Sequence, residues 1–223
     1  MATSAGQGAP APGRRRPQVP RRVQVGLLVL AVLAAAVALA GQIVRRTDRT
    51  TRAFPAVRAV ELDSDAGDVA VVATARRDVR VTTTRVWSFR MPVERMRVEG
   101  DVLRLTGSCP GGLGAGRCAV AWQVQVPPGV ALRVHTGGGD LTVRGVGGPL
   151  VLATDAGRVE VVDVAARRVE LSSGAGDVRV ATRRAPGRLV AQSRAGDIRL
   201  TLPDTVYRVD AHTDRGTARV AVH

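Results

Sequence analysis

Val169-Glu-Leu-Ser-Ser-Gly-Ala-Gly-Asp-Val-Arg-Val180 and Leu189-Val-Ala-Gln-Ser-Arg-Ala-Gly-Asp-Ile-Arg-Leu200 are one pattern written twice, twenty residues apart. Take Gly176 and Gly196 as position zero. Apolar residues then fall at −7, −5, +2 and +4, a serine at −3, an aspartate at +1 and an arginine at +3. The frame extends in both directions through Gly139, Gly157 and Gly216. Position −7 holds Leu132, Leu150, Val169, Leu189 and Val209; position −3 holds Thr136, Thr154, Ser173, Ser193 and Thr213. Position +4 holds Val143, Val161, Val180, Leu200 and Val220. An earlier unit, Val60, Leu62, Ser64, Gly67, Val69 and Val71, fits the same frame.

Alternation with period two on both sides of the glycine predicts two short strands joined by a tight turn. The glycine supplies a backbone conformation that other residues resist, and the hydroxyl at −3 satisfies backbone groups of the turn. One such unit cannot bury its apolar side alone, whereas a stack of units can. The fold class expected is therefore all-β: a β-solenoid of roughly 20-residue coils filled by Val and Leu. Gly100-Asp101-Val102 does not fit the frame, because Arg95, Arg97 and Arg104 would then point inward. Residues 73–130 are accordingly expected as an insertion or irregular section rather than another coil.

Outside the repeat, residues 1–22 lack periodicity and read as a disordered tail. Val23–Val44 then runs 22 residues with Gln24 and Gln42 as its polar members. At ~1.5 Å per residue it is long enough for the ~30 Å hydrocarbon core of a bilayer. Five arginines (Arg14, Arg15, Arg16, Arg21, Arg22) precede it, while Arg45, Arg46, Arg49, Arg52 and Asp48 follow. The positive-inside rule thus predicts a cytoplasmic N-terminus, a transmembrane helix (signal anchor) at 23–44, a linker at 45–55 and an extracytoplasmic domain at 56–223. Cleavage of a signal peptide after Ala38-Leu39-Ala40 is the competing reading. Both place the domain in an oxidising compartment, where Cys109 and Cys118, bracketing a glycine-rich loop, read as a disulfide. A metal reading lacks two further ligands nearby.

Hydrophobic-x-hydrophobic-x-Ser/Thr-x-x-Gly-Asp-Val-x-Val, repeated about every twenty residues behind one apolar segment, resembles the bacterial "putative adhesin" family of domains of unknown function. The likeness spans roughly Val57 to His223 and extends to solenoid modules of envelope-stress proteins. It implies a repetitive β domain displayed at the cell surface and transfers no catalytic residues. Arg158 and Thr217 at +1, and Arg215 at −1, depart from the pattern.

Composition and motifs narrow the function. The 223 residues carry a net charge of +14, and all 33 basic residues are arginine. Such usage is expected of a GC-rich genome, so charge alone is weak evidence for an acidic partner. Nucleic-acid binding is not expected, since stacking aromatics on a basic groove are missing. No phosphate-binding loop, dinucleotide fingerprint, zinc helix or serine elbow occurs, so no enzyme and no cofactor are expected. His135 and His212 share position −4 four coils apart, too far to share a metal. A calcium ladder of Asp68, Asp140, Asp177 and Asp197 has the wrong period and is interrupted by Arg158. Arg179, Arg199 and Arg219 at +3 form an expected outward stripe. It reads either as a solvated face or as a dock for an acidic envelope polymer or lipid headgroup.

The function expected is a non-catalytic, membrane-anchored surface module of adhesion or binding type. The alternative is an envelope-stress sensor or regulatory accessory signalling through its helix and basic tail. Partners expected are the membrane, an acidic envelope polymer or another envelope protein, and a second copy through exposed solenoid edges.

Overall fold

The computed structural model describes residues 30–32, 46–111 and 117–222. The tail, and all of the segment 23–44 except the helical Leu30–Val32, lie outside the described residues. Among the described residues no helix is long and apolar enough to cross a membrane.

Seven strand pairs stack as coils. Five follow the glycine frame in order: β8 (Ala131–Thr136) with β9 (Leu141–Arg144), β10 (Leu150–Ala156) with β11 (Val159–Val164), and β12 (Arg168–Ala175) with β13 (Val178–Thr182). Then come β14 (Arg188–Ala195) with β15 (Ile198–Leu202), and β16 (Arg208–Thr213) with β17 (Ala218–Val222). The early unit, β2 (Ala59–Ser64) with β3 (Val69–Ala73), lies directly on β8 and β9, pairing Val60 with Leu132 and Val69 with Leu141. All these pairings are parallel, and each residue faces its counterpart in the next coil. The first strands of the coils build one sheet and the second strands the other. Apolar positions of the two sheets meet between them: Leu150, Leu152, Val159 and Val161 are each at most 1% exposed.

The section 73–130 corrects the expectation that it holds no further coil. It contains a seventh coil, β6 (Val102–Ser108) with β7 (Cys118–Val126), stacked parallel on β2 and β3. Leu103 and Leu105 take the −7 and −5 positions, and Trp122 and Val124 take +2 and +4. Gly100 is not the zero position of this coil; it makes the bend between β5 (Val93–Glu99) and β6, and Arg95, Arg97 and Arg104 all face solvent. The rest of the section is antiparallel. β5 runs along the outer side of β6, and β4 (Val79–Trp87) along the outer side of β7. Residues 46–54, expected as linker, form β1 (Arg46–Phe54), antiparallel to β4 at the edge of the nine-stranded sheet. With Arg, Thr and Asp at almost every position β1 has no apolar alternation. It is held by backbone pairing, and its charge suits an edge strand.

Candidate interaction surface

The recurrent polar residues hold one coil to the next. Gly157, Gly176, Gly196 and Gly216 adopt φ between +149° and +151°, a region that disfavours side chains. They also lie in a column: a β-carbon on Gly196 would fall inside contact distance of the Gly176 carbonyl oxygen. That carbonyl accepts the Ser193 hydroxyl at 3.1 Å, and the same bond recurs from Ser173 to Gly157 at 3.0 Å and from Thr213 to Gly196 at 2.8 Å. The hydroxyl at −3 in these coils therefore serves the preceding coil's turn, whereas Thr136 also bonds within its own, to the Gly138 carbonyl at 3.2 Å. The aspartates behave likewise. Asp177 Oδ1 accepts the backbone N–H of Asp197 at 3.0 Å, and Asp197 Oδ1 accepts that of Thr217 at 3.0 Å. The bonds to Thr217, backbone first and hydroxyl second, hold the Asp197 carboxyl below the usual carboxylate range. Asp140 Oδ1 accepts the Arg158 N–H at 2.8 Å in the same way. The candidate calcium ladder is thus a ladder of amide acceptors.

The predicted stripe exists in register, Arg179 beside Arg199 and Arg199 beside Arg219. Two of its three charges are compensated. Arg179 pairs with Asp177 at 2.8 Å, and Arg199 with Asp197 at 2.7 Å and with Asp177 at 3.8 Å. Arg219 has Thr217 where the others have aspartate, and no ion pair of Arg219 is found among the described residues.

On the other sheet His135 lies between Asp63 of β2 (Nδ1 to Oδ1, 3.0 Å) and Asp155 of β10 (Nε2 to Oδ1, 3.6 Å). The Asp63 bond is the largest influence, and it raises the imidazole above its ordinary value of 6.5. A shallow groove farther along is lined by Asp155, Ser172, Gln192, Arg194, His212 and Asp214. His212 Nε2 bonds Asp214 at 3.0 Å. The register puts Gln192 between His212 and Ser172, two strand spacings of about 4.8 Å, so no Ser–His–Asp relay is assembled there.

Cys109 and Cys118 form a disulfide with Cα atoms 5.8 Å apart. It joins the end of β6 to the start of β7, where the other coils carry the glycine turn. Trp122, 1% exposed, packs in the core of this coil with Nε1 donating to Ser64 Oγ at 3.2 Å. Gly107 stands at the −3 position because a β-carbon there would crowd both that indole and Ser64. Phe89, by contrast, is 51% exposed.

A second arginine ladder escaped the sequence reading. Arg168, Arg188 and Arg208 occupy position −8 and pair in register across three coils, all exposed. The signal was present in the repeat frame, one residue before the first apolar position.

Among curated proteins none matches this chain. Among solved structures, a "putative cell adhesion protein" from Clostridium sporogenes shares the fold with a TM-score of 0.54 at 8% identity, covering 80% of this chain and 100% of its own. A "putative adhesin" from Bacteroides fragilis aligns with a TM-score of 0.33 at 13% identity, covering 79% and 97%. The family model described as Toastrack DUF4097 matches residues 55–222, a span running from the end of β1 to the end of β17, and the chain belongs to that family.

Proposed function

We propose that the chain is a non-catalytic surface module of adhesion or binding type, anchored in the cell membrane by residues 23–44 and presenting residues 56–223 at the cell envelope. One observation carries the reading: the recurrent Gly, Ser/Thr and Asp of the repeat are engaged in coil-to-coil bonds, which leaves the outward positions −6 and −4, whose residues change from coil to coil, and the outward arginine rows as the surface free for a partner. Such a division suits a scaffold that displays a binding face. The architecture shared with the Clostridium sporogenes protein supports it at the level of fold. The Cys109–Cys118 bond agrees with an oxidising address.

Protease shaving of intact cells tests the reading. Release of a fragment from 45–223 with both cysteines oxidised, and a retained N-terminal piece, is the expected result. Protection of that region with free thiols overturns it. The mass of the retained piece also separates an intact anchor from cleavage after Ala40.

A further inference from the structure

Six exposed arginines gather on the edge where each coil hands over to the next. Arg168, Arg188 and Arg208 begin β12, β14 and β16, one above another. Arg167, Arg183 and Arg184 lie in the connections beside them, all facing solvent. Two aspartates lie nearby, Asp163 near the end of β11 and Asp204 in the β15–β16 connection. Among the described residues the ion pair made by these arginines is Arg168–Glu170 at 3.9 Å, with Arg168 65% exposed. Arg183 Nε donates to the Asp163 backbone carbonyl at 2.8 Å, which holds its guanidinium on this edge without neutralising it.

Like charges directly opposed on neighbouring strands repel. The +3 stripe relieves that repulsion internally through Asp177 and Asp197. Two residues along the same strands the edge ladder has Glu170, 3.9 Å from Arg168, and Asp210 after Arg208, but Val190 after Arg188; the six arginines outnumber the carboxylates beside them, and the excess charge is left for something outside the chain. We propose that this edge is a docking rail for a linear phosphate-bearing polyanion lying along the stack axis. Strand spacing of about 4.8 Å sets the arginines at intervals that flexible side chains can match to successive phosphates. A bilayer is a poorer fit. Membrane docking grows with buried apolar area, and the exposed large apolar side chains near the last connection are two valines, Val206 within it and Val222 at the end of β17. The inference rests on the surface-module reading only for where such a polymer is met; the binding itself is a property of the purified chain.

The experiment is titration of the purified chain with inorganic polyphosphate across a salt series, with tripolyphosphate and phosphatidylglycerol vesicles in parallel. Neutralising three or four phosphates predicts a slope of log affinity against log salt of about −2 to −3. The variant R168Q/R188Q/R208Q should weaken binding about tenfold or more at low salt, and R179Q/R199Q/R219Q, with the same charge change, less than about threefold. R167Q/R184Q, altered outside any strand, should weaken it too, so loss of binding is separable from loss of fold. Equal weakening by the two triple variants, tripolyphosphate binding as tightly as the polymer, or capture by vesicles without capture by polyphosphate each overturns the proposal. Because cells are not involved, its failure leaves the shaving result standing, and the reverse.

Discussion

At one end of the stack the outermost coil is covered: β5 lies against β6, and β4 and then β1 lie against β7. At the other end β16 and β17 have no strand on their outer side among the described residues. The same repeat positions fare differently. Leu103 and Leu105 in the covered coil are fully buried, whereas Val220 is 50% exposed at a position where Val180 is 2% exposed. A coil of this kind owes its core to its neighbours, as nearest-neighbour stability in repeat proteins requires. The covered end also departs from the Val/Leu interior. Arg85 faces inward there beside Glu94, itself 8% exposed, at 3.8 Å, and also pairs with Asp48. The covered end has an irregular, partly polar core; the open end has a regular one left unfinished.

The sharpest break of that contrast is a methyl group in the glycine column. Gly196→Ala should lower stability by about 3 kcal/mol or more, from a disfavoured φ and a clash with a backbone carbonyl that cannot yield. Gly100→Ala in the covered half has open space around it and should lose only about 1 kcal/mol, as judged by denaturant midpoints. Next comes Trp122→Ala, expected at about 3–5 kcal/mol, against Val220→Ala below about 1 kcal/mol; similar losses for the two would mean that the open end is covered in solution. Replacing Cys109 and Cys118 together by serine should remove about 2–3 kcal/mol, appropriate to a short closed loop, read as the difference in unfolding free energy.

The smallest effect sits at the joint between the early coil and the regular ones. Because the folded value of His135 is raised, its contribution is complete below about 6.5 and is lost as pH rises through the raised value. Melting temperature should therefore fall slightly on going from mildly acidic to mildly alkaline pH, and Asp63→Asn should flatten that fall. An unchanged slope in the variant would show that the Asp63 contact carries no weight.

The regular half was legible because five units share one frame, and a period-two pattern locked to a glycine leaves little choice of register. The β6–β7 coil was not, and the reason is chemical. Its turn is a cysteine loop, and its −3 residue is Gly107, required by the Trp122 indole, so both anchors of the frame are missing. β1 hid behind its charges. Among surface features the +3 stripe was visible as a row of identical residues. The compensation of Arg179 and Arg199 depends on Asp177 and Asp197 lying within 4 Å, which a row of identical residues does not show. The row at −8 lies one residue before the first apolar position, outside the frame that the alternation defines.

The placement of the early coil bears on how the chain reaches this state. Each regular coil meets its neighbour after about 20 residues, as Asp177 meets Asp197, whereas Asp68 meets Asp140 across 72. Closing the longer loop costs about 1 kcal/mol more in chain entropy and slows the encounter. The β8–β17 half can therefore zip up coil by coil while β2–β3, and β6–β7 which rests on it, arrive later. Both tryptophans, Trp87 and Trp122, belong to the late-arriving section. During refolding the growth of far-UV strand signal should consequently run ahead of tryptophan fluorescence, and the coil that precedes β8 in sequence should be seated after it in time.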